Sequence, residues 1–511
     1  MKIKLIIWDL DDTLWQGTLA EGDNVRLHER RAVFVRALNN CGIVSAICSK
    51  NDHATAQKTL ESFHLWDEFV FPRISFTPKG EVIKKIIEDM HLRPVNALFV
   101  DDNVHNLNEV RSVVPDINIL DASREDADEI LTQILEDNKH VNKRRVEEYR
   151  ILQTKADDRQ CQAISNEDFL RSCDIRVSYA YRMDNLDFAN RIEELANRSN
   201  QLNYTKSRFE LGQVTELLLD IQLHHSFAIF TWDRYGYYGL VGFIAVAQTT
   251  GKVIHFVFSC RVMHMGIEQA SLAYAEKMLN LYRPFPDLDL SAMAIPLPDM
   301  KPDWVTTVEF NEARTLILAK EAPTIETDSV IRIIFNCQSG GIAHFSKYRD
   351  ILEFDNYPRL FIISMMLDDG FLDQYYPPYL VYGAGADYVH IGWPEDVRPL
   401  LEQNLRACAL RFCQIFGDND RKVLVLLMPE NMPDNKYSRH EEFGCPRERA
   451  IQLNNVWREY AAIFPCITLL DTSDFALPED MLDVNHFYAG FLQKVAQRAD
   501  AWYESRQTSC D

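Results

Sequence analysis

The chain has 511 residues, 47% of them hydrophobic and 25% charged, with a formal net charge of −22. That length exceeds one hydrophobic core and implies two to four domains, while the acidic surface repels phosphate backbones and anionic lipid, so neither nucleic acid nor a membrane is expected as a partner. The 11 cysteines form no Cys-x-x-Cys pair, which points to reduced thiols in a cytoplasm and away from a disulfide framework or a zinc ribbon.

Residues 4–15, KLIIWDLDDTLW, read as an apolar strand ending in three aspartates. Apolar runs recur at 42–49, 96–102 and 117–120, and the stretch EVIKKIIEDM places Ile83, Ile86, Ile87 and Met90 on one helical face. Strands alternating with helices imply a parallel sheet that binds ligands at its carboxyl ends. The N-terminal run stops at Asp9, too early for a signal peptide, and the longest run, 423–428, is too short to span a bilayer.

Four motifs in order resemble the haloacid dehalogenase (HAD) superfamily of phosphohydrolases. They are Asp9-Leu10-Asp11-Asp12-Thr13, then Ser49, Lys79 and Asp101–Asp102. The resemblance implies that Asp9 attacks phosphorus and that Asp11 protonates the leaving group and then activates water. It further implies that Ser49, with Thr13, Lys50 and Asn51, binds the substrate and that Lys79 offsets transition-state charge. Mg²⁺ would be held by Asp9, Asp101, Asp102 and the backbone carbonyl of Asp11. Residues 14–41 leave room only for a flap and one helix, and 53–76 for a helix and a loop. No large cap is therefore expected, and an open site suits a protein-borne substrate or closure by another domain.

The stretches WDLDDTLWQG, ICSKND and FVDDN followed by NEVR resemble one branch of that superfamily, the FkbH-like proteins. The likeness continues through 191–209, 233–242 and 259–270, the last two resembling an acetyltransferase-like (GNAT) region. Membership implies a glyceryl transferase/phosphatase. It takes 1,3-bisphosphoglycerate, removes phosphate and delivers a glyceryl group to the phosphopantetheine thiol of an acyl carrier protein. Cys48 occupies the place of the thioester relay; a thiolate beside Mg²⁺ and a helix start suits that role. Strand alternation leaves the other reading open, with Ser49 facing phosphate and Cys48 in the core.

Residues 136–160 read as a charged linker helix, and 161–310 as a GNAT-like α+β unit with three successive strands and a helix from about Gly266. The Arg261–Gly266 loop keeps one glycine of the pyrophosphate-binding pattern, which leaves acetyl-CoA binding open. Asn200, Gln201 and Asn203 are candidate contacts for a pantetheine arm or glyceryl hydroxyls, or else fix a loop. After a linker at 311–329, residues 330–511 read as a second doubly wound α/β unit. Ser339 after its first strand and Asp483-x-x-His486 near its end resemble the SGNH hydrolase triad. Gln338 stands where that family has Asp, and the oxyanion-hole block reads Gly392-Trp393-Pro394 without asparagine.

The expected whole is thus an α/β protein with an HAD-type domain at 1–135, a GNAT-like domain and an SGNH-like domain. Its leading activity is glyceryl loading of a carrier protein. A plain Mg²⁺-dependent phosphatase with Cys48 in its core is the alternative, and a carrier-docking scaffold the non-enzymatic one.

Overall fold

Among the described residues, three five-stranded sheets follow one another along the chain. The computed structural model describes residues 3–139, 143–162, 164–210, 212–281, 284–298, 300–321, 329–336, 338–355, 377–388, 401–418, 421–437 and 446–507. The first sheet holds β1 (Leu5–Trp8), β2 (Val44–Ser49), β3 (Phe69–Ile74), β4 (Ala97–Asp101) and β5 (Asn118–Asp121). All pairs are parallel, in the order β3-β2-β1-β4-β5. The chain winds outward in both directions from β1, so the carboxyl ends of β1 and β4 flank the switch point where such sheets bind ligands.

Alternation along these strands assigns their faces. Ile6, Trp8 and Ile47 pack with the helices Glu29–Asn40 and Ala127–Asn138. Leu5, Ile7, Ala46 and Cys48 pack with the helix Lys79–Asp89. Residues 53–76, expected as a helix and a loop, form a helix and then β3. The strand contains Pro72, which an edge strand tolerates because it lacks a ladder partner on one side. Opposite it the register shifts between Ala46 and Cys48, and Phe71 takes a φ of 47°, so β3 carries a bulge.

The second sheet runs β9-β8-β7-β6-β10, made of β6 (Ile175–Tyr181), β7 (His224–Asp233), β8 (Gly236–Ala247), β9 (Val253–Phe258) and β10 (Val305–Thr307). It is antiparallel except for β6 and β10. The helix Ile267–Leu279 follows β9. The segment expected as a linker at 311–329 instead opens with the helix Phe310–Glu321. Its Phe310, Ala313 and Ile317 are buried in a core with Leu240 and Phe243. Within 136–160, expected as a charged linker helix, lies the helix Val146–Cys161, which is docked on both neighbours. Gln153 accepts from Phe71 N (2.7 Å) and Asp157 pairs with Arg73 (2.9 Å), while Lys155 reaches Asp233 (2.7 Å). This helix bolts the first lobe to the second, and one apolar core runs through both.

The third sheet, β12-β11-β13-β14-β15, is parallel throughout. Its strands are β11 (Ile331–Ile334), β12 (Leu352–Asp355), β13 (Tyr379–Gly383), β14 (Lys422–Leu427) and β15 (Ile467–Asp471). A strand expected at 359–366 lies outside the described residues. So does most of one expected at 387–393, whose first residues instead end the helical turn Gly385–Tyr388. Among the described residues no helix is long and apolar enough to cross a membrane.

Glu268, in the first turn of Ile267–Leu279, is 4% exposed and hydrogen-bonded to Tyr204. Burial raises its pKa from 4.5 to about 7. The folded protein thus holds a proton that the unfolded chain releases above pH 4.5, a difference worth about 3 kcal/mol. That stability is fully present below pH 4.5 and is lost as pH rises toward 7. Thermal midpoints at pH 5 and pH 8 should differ more in the wild type than in Glu268→Gln.

Candidate active site

The first lobe's carboxylates gather where β1 and β4 end. Trp8 pairs with Ile47 on one side and Val100 on the other, so the next residues, Cys48, Asp9 and Asp101, stand in a row across three strands. Asp9 N donates to Val100 O (2.9 Å), carrying the pairing one residue further. Lys79, 1% exposed at the start of its helix, spans the row. Its Nζ lies 2.8 Å from Asp9 Oδ1 and donates to Asp101 Oδ2 (2.6 Å). Asp102 joins them, so that Asp9, Asp101 and Asp102 each offer an oxygen within 4.8 Å of the others.

One ammonium thus faces three carboxylates. Burial raises Asp9 to about 6, with Lys79 pulling it down and Asp101 pushing it up. Burial and then Asp101 also raise Asp102. Burial opposes the Lys79 charge, but Asp9 and Asp101 outweigh it and hold its pKa above the ordinary value. A surplus of buried negative charge on oxygen donors is the chemistry a hard divalent cation takes; the three side chains fit one.

Around this centre the motif residues divide by role. Asp11, half-buried, accepts at Oδ1 from Trp15 Nε1 (2.8 Å) and Leu19 N (3.0 Å), and at Oδ2 from Asn51 (3.0 Å). Asn51 also donates to Ser49 Oγ (3.2 Å), and Ser49 bonds Asp9. Lys50 is exposed and donates to Asn106 Oδ1 (3.2 Å). Thr13, expected against substrate, is buried and accepts from Asp102 N (3.0 Å), so it braces the two acidic loops. Trp15, Asn106 and Glu109 were not anticipated. Asn106 donates to Asp101 (3.1 Å), and Glu109 accepts from Gly80 N (2.7 Å) beside Lys79. Only the Asn–Asn–Glu spacing on the helix after Asp102 hinted at the latter two.

Cys48 departs from the thiolate setting expected of it. It is 2% exposed within the core shared by the first two lobes. Burial pushes its thiol up to about 12, and the attraction of Lys79 offsets only part of this. It is nonetheless on the same sheet face as Asp9, one strand away.

The other expected sites are less joined. Asn203 is buried and donates to Ser207 O (2.8 Å), so it pins its own loop and is not offered to a ligand. Asn200 and Gln201 line a cleft between the first two lobes. Arg261 is buried, donating to Tyr238 O (2.6 Å) and pairing with Glu148 (3.0 Å), which turns it inward from the loop that ends at Gly266. In the third lobe Asp483 holds His486 Nδ1 at 2.8 Å. Ser339, expected as their nucleophile, is fully buried at a helix start. Its hydroxyl donates to Asn336 O (2.9 Å) and accepts from Phe335 N (3.1 Å), so its proton is committed to backbone and no hydrogen bond joins it to His486. Gly392, Trp393 and Pro394 lie outside the described residues.

No protein-family model matches the sequence, and no curated protein does. Solved structures similar to the chain include the N-terminal part of a Bacteroides fragilis protein containing a phosphatase domain, complexed with Mg. It shares 23% identity over 28% of this chain and 41% of its own, with a TM-score of 0.23. The chain therefore spans less than half of that structure. A 3-deoxy-D-manno-octulosonate 8-phosphate phosphatase from Moraxella catarrhalis, with magnesium, phosphate and its sugar, shares 16% over 27% of this chain and 90% of its own (TM-score 0.22). A cobalt-bound deoxy-D-mannose-octulosonate 8-phosphate phosphatase from Haemophilus influenzae shares 14% over 27% and 90% (TM-score 0.22).

Removing one partner of a buried ion pair leaves the other charge uncompensated. Lys79→Met would strand both Asp9 and Asp101, and should cost about 3–5 kcal/mol in urea unfolding without divalent cation.

Proposed function

We propose that the first lobe is a Mg²⁺-dependent phosphohydrolase of the HAD type. The observation that carries this is the convergence of Asp9, Asp101 and Asp102 within 4.8 Å around a buried lysine. An Asp9 oxygen bonds to phosphorus as the bond from phosphorus to the leaving oxygen breaks, and Asp11 gives that oxygen its proton. Asp11 then takes a proton from water, whose oxygen displaces Asp9 and releases phosphate. Ser49 and Lys79 hold the phosphoryl oxygens. A divalent cation between the three carboxylates would supply positive charge that keeps them ionised and offsets the phosphoryl charge.

The finer proposal names the substrate as 1,3-bisphosphoglycerate and the acceptor as the phosphopantetheine thiol of an acyl carrier protein. It is supported by the FkbH-like motifs and by the in-register row of Cys48, Asp9 and Asp101. In this reading the Cys48 sulfur bonds to the acyl carbon as the bond from that carbon to the 1-phosphate oxygen breaks, the thiol proton leaving with the phosphate. The Asp9 chemistry removes the 3-phosphate, and the glyceryl thioester then exchanges onto the carrier thiol. The buried, protonated thiol must open to solvent for this, so the step depends on motion at the bulged β3 edge. In the third lobe His486, oriented by Asp483, is proposed as a base for acyl-ester chemistry.

Phosphate release from phosphorylated substrates should fall at least about a thousandfold in Asp9→Asn, as for loss of a nucleophile, and should vanish on chelation of divalent cation. Intact-protein mass after incubation with fresh 1,3-bisphosphoglycerate and Mg²⁺ tests the finer reading. A glyceryl adduct absent from Cys48→Ala and transferable to a carrier supports it. Phosphate release without any adduct, undiminished in Cys48→Ala, overturns it and leaves the phosphohydrolase standing.

A further inference from the structure

The cleft between the first two lobes has a charge pattern that the chemistry at Asp9 does not use. It opens beside Lys4, Gly42 and Asn96, each just before β1, β2 or β4. It is therefore at the amino ends of the strands, opposite the carboxylate centre. Its far wall is the helix Ala189–Arg198, which presents Arg191, Glu194 and Arg198 toward it. Arg145 and Arg261 complete the wall.

The cations there outnumber the anions. Glu194 is shared by Arg198 (3.1 Å), Arg145 and Arg191. Glu148 is shared by Lys143 (3.1 Å), Arg145 (3.1 Å) and Arg261 (3.0 Å). Glu321 lies 3.5 Å from Arg191 and also accepts from Leu240 N. Among the described residues, five cations share these three carboxylates, and Lys4 and Arg93 also line the cleft, so positive charge is in surplus at this half-buried site. Nε of Arg145 is buried with no hydrogen-bond partner among the described residues. A network built only for cohesion would balance its charges and donors, because each unmatched buried charge is costly. Burial also depresses Arg198 to about 10 and Lys143 to about 8, the cost an added anion would relieve.

We propose that this cleft binds the phosphate dianion of a small phosphorylated metabolite, held by Arg145, Arg191 and Arg198. Guanidinium groups suit tetrahedral oxyanions through paired N–H donors, and a dianion answers the surplus of positive charge. The open volume, about 80 Å³, holds a handful of water-sized groups. That admits one phosphoryl group with a short polar body. The amides of Asn200 and Gln201 stand at the mouth, placed for hydroxyls on that body. Since both lobes wall the cleft, an occupant also ties them together.

Calorimetric titration of inorganic phosphate into the full chain, in EDTA at fixed ionic strength, tests this. Without metal the three carboxylates at Asp9 repel phosphate, so that site stays silent. Saturable one-to-one binding is expected, unchanged in Asp9→Asn and weakened at least about tenfold in Arg198→Gln, the loss of one charge-assisted bond. Arg198→Lys, which keeps the charge but not the fork, should fall between. Glu194→Gln should bind phosphate more tightly, because it frees three arginines; a purely cohesive network would not gain affinity on losing its carboxylate. Absence of binding in the wild type, loss in Asp9→Asn, indifference to Arg198→Gln, or weakening in Glu194→Gln would each overturn the proposal.

Discussion

A single buried ammonium organises the first lobe of this protein. Lys79 must sit between Asp9 and Asp101, because neither carboxylate tolerates burial without a positive partner. That requirement brings its helix hard against the helix Val104–Val113. Gly80 makes the approach possible: a Cβ there would lie 2.7 Å from Val113. Its freed N–H is taken by Glu109. The lysine balances one carboxylate of three, and the remaining negative charge suits the centre to a divalent cation.

The lobes around that centre are continuous with it. The helix Val146–Cys161 grips β3 through Gln153 and Asp157 and the second sheet through Lys155. Leu5, Ile7 and Cys48 share a core with Phe227 and Tyr238. The face of the first sheet that carries Cys48 is covered by the helix Lys79–Asp89, in a core that continues into the second lobe. The same fusion closes off the amino ends of the strands, where arginines of the Ala189–Arg198 helix meet the first lobe. One end of the sheet thus concentrates negative charge and the other positive charge.

Much of the centre was legible before any fold was known. Asp9, Asp11, Asp101 and Asp102 stand at the ends of apolar runs, and Lys79 opens a periodic helix; pattern and motif agree there because strand ends at a switch point are where such groups are useful. β3 was missed because Pro72 reads as a strand breaker, and only its place at an edge makes the proline harmless. The helix Phe310–Glu321 was missed because its apolar face has meaning only against the second sheet, where it packs on β6 and β8. Thr13 and Asn203 carried the right chemistry for ligands, yet their nearest partners are the protein's own backbone. Ser339 met the same fate at Asn336.

By itself the sequence determined the order of α/β units, the positions of the four motifs and the acidic overall charge, because these depend on neighbours along the chain. Tertiary structure alone decided which titratable groups are buried together. It placed Cys48 in register with Asp9 yet sealed it into a shared core, paired His486 with Asp483 but not with Ser339, and set five cations against three carboxylates in one cleft. Those outcomes turn on desolvation and on distances between residues far apart in the chain, and neither quantity is written in local pattern.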